Sequence, residues 1–129
     1  MIVSVATTSG PFSVDLDTGD VGPAEPFEPA TPPTLNLPRV VAAAEAGSTV
    51  VAVVDARPPM LVSHDAGTTW RESGRGLPPG TAVAIADWDP DLLLYAGRNR
   101  LYVSRDGGVF WTALEVELPE IAGVALTEY

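Results

Sequence analysis

Short apolar runs, bounded by glycine, proline, serine and aspartate, recur along most of the chain. They are rich in Val, Ile, Leu and Tyr, which favour strands over helices at this length. Apolar and polar positions alternate in 101–104, which predicts a strand with one buried face, whereas 50–54 is apolar throughout and predicts burial on both faces. The pattern predicts strands at 40–46, 49–55, 60–64, 68–73, 82–88, 92–97, 101–105 and 109–116.

These runs belong to an internal repeat. Residues 63–70 and 104–111 both follow Ser-x-Asp-x-Gly-x-x-Trp, and an offset of 41 positions aligns the surrounding sequence without a gap. The same offset places Val51 on Leu92 and Leu77 on Leu118. Four strands in a repeat of about 40 residues are typical of a β-propeller blade.

A weaker third copy lies at the start of the chain, where Ser13 and Asp15 stand 50 positions before Ser63 and Asp65. The additional positions fall in 21–38, which holds six of the 13 prolines and predicts a loop. We therefore predict an all-β fold with blades of four antiparallel strands, about three per chain. The full blades are 39–80 and 81–120, the Pro-rich connector is 21–38, and two half-blades are 1–20 and 121–129.

The repeated motif has a local structural role in this interpretation. The serine hydroxyl and the aspartate carboxylate can accept hydrogen bonds from backbone N–H groups of a tight turn, the glycine permits positive φ, and the tryptophan packs the hairpin against its blade. We expect the following residues to be structural and not catalytic: Ser13, Asp15, Ser63, Asp65, Gly67, Trp70, Ser104, Asp106, Gly108 and Trp111.

The motif resembles the Asp-box, or bacterial neuraminidase repeat, of sialidases and related propellers. The segment 87–97 is also similar to the turns of stability-factor-like and sortilin-like propeller blades. The resemblance covers nearly the whole chain, strongly from 40 onward. It implies the fold and not an activity, because many members of that family are not sialidases and their Asp-boxes lie on the side opposite the active site.

The two half-blades predict a mode of assembly. In the register of the repeat, 121–128 is a first strand and 2–6 is a second strand, so the two runs should pair. Three blades are fewer than the four to eight of closed rings. We expect a homodimer with a six-bladed ring, formed by exchange, in which the C-terminal strand of each chain completes the other chain's first blade. The alternatives are an excerpt from a longer propeller and an open stack of sheets.

Composition narrows the classes of partner. The formal charge is −10, from 17 acidic residues against seven arginines and no lysine, which disfavours nucleic acid. No apolar run is long enough to cross a bilayer, so no membrane contact is expected, and no signal peptide is recognisable, so a cytoplasmic location is the default expectation. Without cysteine there are neither disulfides nor thiolate metal ligands.

The predicted strand order sorts the charges onto two sides of the ring. Most aspartates fall on the side of the repeated motifs, and five of the seven arginines fall on the other: Arg39, Arg57, Arg75, Arg98 and Arg100. Because guanidinium groups pair with carboxylates and phosphates, this face could bind an anionic small molecule, a glycan or an acidic segment. In the alternative, Glu72, Glu117 and Glu120 neutralise these arginines in ordinary surface pairs.

Signatures of catalysis are weak. A sialidase needs three clustered arginines, a Tyr–Glu nucleophile pair and an aspartate acid/base, and usually an Arg-Ile-Pro tripeptide, which is absent. The run Asp15-x-Asp17-x-Gly19-Asp20 has its glycine in the wrong place for a calcium loop and lacks the bidentate glutamate. His64 is the only histidine, and no Ser/Asp arrangement around it indicates a catalytic triad. We expect a non-enzymatic scaffold or binding module with no catalytic residue, metal or cofactor. The alternative is a divergent, sialidase-like glycosidase assembled across the dimer.

Overall fold

The computed structural model describes residues 1–126 and is all-β. This part of the chain has no helix long and apolar enough to span a bilayer. The strands are β1 (Ile2–Thr7), β2 (Gly10–Asp15), β3 (Val21–Pro23), β4 (Val40–Ala46), β5 (Thr49–Val54), β6 (Met60–Ser63), β7 (Arg71–Ser73), β8 (Ala82–Ala86), β9 (Asp89–Ala96), β10 (Leu101–Ser104), β11 (Thr112–Ala113) and β12 (Ile121–Leu126).

The strands form three antiparallel sheets of four, which confirms the predicted fold class. The second blade is β4-β5-β6-β7 and the third is β8-β9-β10-β11, each in chain order. The first blade has the order β12-β1-β2-β3, so it combines the beginning and the end of the described chain. The fourth strands β7 and β11 are shorter than the predicted 68–73 and 109–116, because the first residues of both runs belong to the turns.

The two predicted half-blades pair, but within one chain. Strand β12 lies antiparallel to β1, with Val5 opposite Val124 and Val3 opposite Leu126. The third blade packs against the first, so the chain that leaves the third blade arrives beside β1 directly. Completing the first blade therefore does not require the exchange between two chains that the sequence led us to expect. Residues 127–129 of that predicted run lie outside the described part.

The prediction of a loop over 21–38 was wrong for its first three residues. Residues 21–23 form β3, in which Val21 lies opposite Val14 and Pro23 lies opposite Phe12. Proline is tolerated here because β3 is the edge strand of its sheet and its outer N–H positions have no ladder partner. The loop proper begins after Pro23, and Pro29 packs against Gly123 of β12.

The third blade lies between the other two and is buried on both faces. Its inner strand β8 contacts both β4 and β12. One face presents Leu94 to a cluster that includes Val3 and Val5 of the first blade. The opposite face presents Leu93 to a cluster that includes Val51 of the second blade. This double burial explains why 92–96 is a continuous apolar run with no alternation.

The two Ser-x-Asp turns share one pattern of hydrogen bonds. The Ser63 hydroxyl accepts from the Gly67 N–H at 2.8 Å and donates to the Asp65 carboxylate at 2.7 Å. Asp65 also accepts from the N–H and the hydroxyl of Thr69, at 2.8 and 2.6 Å. Gly67 has φ of +88°, which a residue with a Cβ rarely adopts.

The turn of the third blade repeats this arrangement, and that of the first blade keeps only part of it. Ser104 accepts from Gly108 N–H at 2.9 Å, and Asp106 accepts from Phe110 N–H at 3.0 Å. In the first blade Asp15 still accepts from two backbone N–H groups, those of Asp17 and Thr18. Ser13 instead donates to the Pro23 carbonyl at 3.3 Å.

The hydrogen bonds from Thr69 and Ser63 lower the pKa of Asp65 to about 2, from 3.8. Its folded pKa is depressed, so the stabilisation is present above pH 4 and is lost as the pH falls from 4 to 2. We expect Asp65→Asn to lower the free energy of unfolding at pH 7, with a deficit that shrinks toward pH 2. Urea unfolding across this pH range measures it, with Asp87→Asn as the matched control. A deficit that is constant down to pH 2 would contradict this account.

Candidate functional site

Two neighbouring hollows hold four of the five predicted arginines. Arg57 and Arg75 line the larger hollow, of about 720 Å³, which we call the arginine hollow. Arg98 and Arg100 line a second hollow of about 420 Å³. Pro78, Pro79 and Tyr102 line both, so these residues form a ridge between the two. The structure places Arg39 outside the lining of either hollow; its carbonyl accepts from Asp55 N–H at 3.0 Å.

The walls of the arginine hollow combine polar and apolar surface. They come from the β5–β6 turn and from the connector between the second and third blades, and Tyr102 of β10 completes the lining. The remaining residues that line it are Pro58, Pro59, Glu72, Gly76, Leu77, Pro78 and Pro79. Charged side chains beside proline and leucine surfaces are the combination found in small-ligand and peptide sites.

The arginines differ in how they are paired. Arg100 donates to Glu117 at 3.0 Å, and Arg98 lies 4.0 Å from Glu120, in exposed pairs. Neither Arg57 nor Arg75 has a carboxylate oxygen within 4.0 Å among the described residues, although Glu72 lines the same hollow. Glutamates therefore form salt bridges with the arginines of the second hollow, whereas among the described residues Arg57 and Arg75 form none.

Tyr95 contacts the ridge from the hydrophobic core. It is fully buried in β9, and its hydroxyl donates to the Pro78 carbonyl at 2.6 Å. Its ring meets those of Tyr102 and Trp111 edge to face, with centroids 6.0 and 5.9 Å apart. Burial raises the pKa of Tyr95 to about 12, so the hydroxyl stays a donor at physiological pH.

A groove at the outer rim, between the second and third blades, continues the arginine hollow. We call it the rim groove; its volume is about 600 Å³. The residues it shares with the arginine hollow are Glu72, Arg75, Gly76, Leu77 and Tyr102. Beyond them it extends to Trp111, Val109 and Phe110. Sequence reasoning missed this feature, because Val109 and Phe110 occupy variable positions of the repeated motif and nothing in the repeat marks them.

The axial hollow, enclosed by β4, β8 and β12, is small. It measures about 130 Å³ and is lined mostly by alanine, valine and leucine, together with the segment 29–31. Glu45 and Asp87 are the ionisable residues that line it. Within residues 1–126 no group of three or more His, Asp or Glu side chains could hold a metal ion. His64 is exposed on the opposite side from the arginine hollow, and its Nδ1 lies 3.5 Å from the Thr49 hydroxyl.

The fold is of the β-propeller type. Neither a family model nor a curated protein sequence matches the chain. Several solved structures resemble it, among them two that each have a TM-score of 0.52 over 91% of this chain. One is the GH74 enzyme of Niastella koreensis, at 25% identity over 18% of that chain, and the other is YCF48 bound to D1 peptide, at 18% identity over 38% of that chain. The chain thus spans less than two fifths of either.

We expect Tyr95→Phe to lower the free energy of unfolding by about 1–3 kcal/mol, because the Pro78 carbonyl loses its buried partner. The folded pKa of Tyr95 is raised above the unfolded value of 10, so the wild type should also lose stability as the pH rises from 10 to 12. The variant should lack this component. Urea unfolding at pH 7 and pH 11 measures both effects, with Tyr102→Phe as the control. Equal behaviour of the two variants would refute the assigned role of Tyr95.

Proposed function

We propose that the chain is a non-enzymatic binding module that recognises an acidic segment of a partner protein in the arginine hollow. The observation that carries this proposal is the presence of two guanidinium groups, Arg57 and Arg75, in one hollow with proline and leucine surfaces, neither of them within 4.0 Å of a carboxylate oxygen in the described chain. We also assign the Ser-x-Asp turns to the Asp-box type, on the strength of the sequence motif and its shared hydrogen bonds.

Electrostatics give this hollow its selectivity. Guanidinium groups bind carboxylates through paired charge-assisted hydrogen bonds, and such bonds are stronger beside apolar walls than in open water. The chain as a whole carries −10, so an acidic ligand is repelled at long range and is attracted only close to this hollow. Binding should therefore be local, because added salt screens the long-range repulsion more strongly than the contacts inside the hollow.

The two similar structures bear on the choice between binding and hydrolysis. One was solved bound to a peptide, which supports a binding role for this type of fold. The other is a GH74 enzyme, so the glycosidase alternative stays open. We favour binding, because the arginine hollow presents two guanidinium groups and one carboxylate, whereas a glycosidase needs two facing carboxyl groups.

Replacement of the two arginines tests this function. We expect Arg57→Gln with Arg75→Gln to weaken binding of a fluorescent hexaglutamate peptide by about tenfold or more, because each charge-assisted hydrogen bond contributes about 1.5–3 kcal/mol. Fluorescence anisotropy at low salt measures the affinity, with hexaglutamine as the uncharged peptide. Arg39→Gln with Arg105→Gln is the control, since it changes the net charge equally outside the hollow. Equal loss in both double variants would reject the proposed site.

We also propose that two chains associate side by side, with the first blade of one against the second blade of the other, in a six-bladed ring. The first and the second blade each have one face that is turned away from the third blade. Ile2, 45% exposed, lies on that face of the first blade, and Val40, 38% exposed, lies opposite Val54 on that of the second. Apolar residues at both flanks support a second copy as the occupant.

Light scattering on the purified chain tests the association. We expect a dimer at micromolar concentration, and we expect Ile2→Glu with Val40→Glu to shift it to monomer, because two like charges would be buried at each contact. Val109→Glu with Phe110→Glu is the control, since it places the same charges on exposed apolar positions away from the flanks. A wild-type protein that remains monomeric would reject the dimer, independently of the arginine hollow.

A further inference from the structure

We infer that the acidic segment recognised in the arginine hollow also carries an apolar or aromatic residue, which is seated in the rim groove. This inference rests on the proposed function and deepens it, because it predicts a ligand of mixed chemistry and not a simple polyanion. It starts from the continuity of the two surfaces, which share Tyr102, Leu77 and Arg75 as lining residues. An extended peptide can follow this surface from one end to the other without leaving it.

The far end of the rim groove exposes large apolar side chains. Phe110 is 75% exposed and Val109 is 54% exposed, and both line the groove next to the half-buried Trp111. A contiguous apolar surface of this kind, beside polar residues, marks an interaction site more often than an isolated exposed residue does. Aromatic side chains also contribute most to peptide interfaces, since they bury a large area at a low cost in conformational entropy.

This end of the groove is held rigidly before any ligand arrives. Trp111 donates its indole N–H to the Ser73 hydroxyl at 3.3 Å, and Ser73 donates in turn to the Gly108 carbonyl at 2.5 Å. Arg71 donates to the Gly107 carbonyl at 2.9 Å. These bonds join the outer strand of the second blade to the turn of the third. A preformed groove loses little entropy on binding, which favours affinity.

The charges along the path assign a direction to the ligand. Arg57 lines the arginine hollow but not the rim groove, whereas Arg75 and Glu72 both line the stretch that the two surfaces share. Arg71 is the other cation of the rim groove, and its guanidinium is already bonded to the Gly107 carbonyl. Carboxylates of the ligand therefore lie nearest to Arg57 and Arg75, whose two charges exceed that of Glu72. An apolar residue follows them and lies against Phe110.

Two labelled peptides test this inference by fluorescence anisotropy. One has four glutamates followed by Trp-Leu, and the other has four glutamates followed by Ser-Ser. We expect the wild type to bind the first about fivefold or more tightly than the second, because the ring and the leucine leave water. Phe110→Ser should abolish that difference and leave the affinity for hexaglutamate within about twofold. Trp88→Ser, another exposed aromatic outside the groove, should preserve the difference.

Each outcome of this experiment bears on a separate claim. Equal binding of the two peptides by the wild type would overturn the inference and leave the arginine hollow standing. The inference is likewise overturned if Phe110→Ser weakens hexaglutamate as much as the Trp-Leu peptide, or if Trp88→Ser acts as Phe110→Ser does. Loss of hexaglutamate binding in Arg57→Gln with Arg75→Gln, which tests the proposed function alone, does not depend on Phe110. Glu72→Gln should strengthen binding of both glutamate-rich peptides, because Glu72 lines both surfaces, and no change there would contradict the assigned electrostatics.

Discussion

Burial of the third blade on both of its faces is the interaction on which the rest of the structure depends. Leu94 and Leu93 are neighbours in β9, and they enter the cores shared with the first and the second blade respectively. Both hydrophobic core clusters include residues of this sheet. The side chains of one strand thus fix the relative placement of all three blades, and with it the line along which the arginine hollow and the rim groove run together.

The same packing connects the core to the candidate binding surface. Tyr95 is two residues from Leu93 on the same face, and its ring enters the core while its hydroxyl reaches the Pro78 carbonyl. Trp111 meets the same ring and bonds to Ser73 across the interface between blades. The ridge and the rim groove are therefore extensions of a core contact. Surfaces supported in this way are pre-organised, whereas surface loops order only on binding.

The sequence was sufficient to predict the fold class and was insufficient for the site. The repeat located the strands because apolar runs and turn residues recur at one offset, and the pairing of β12 with β1 followed from that register. The repeat could not show that β12 and β1 pair within one chain, because pairing between two chains would have the same register. Five arginines on one side were predicted, but only coordinates distinguish Arg100, paired with Glu117, from Arg57. Phe110 had no signal at all, because its exposure depends on how a turn of the third blade meets the edge of the second.

The antiparallel pairing of β1 with β12 joins positions as distant in sequence as Val5 and Val124. During synthesis β1 leaves the ribosome long before β12, so the inner edge of β1 has no strand partner until β12 emerges. An open edge of that kind pairs readily with other strands, and contacts between remote segments make folding slow. The topology that gives the folded molecule a complete first blade therefore makes the nascent chain vulnerable to aggregation until β12 has emerged.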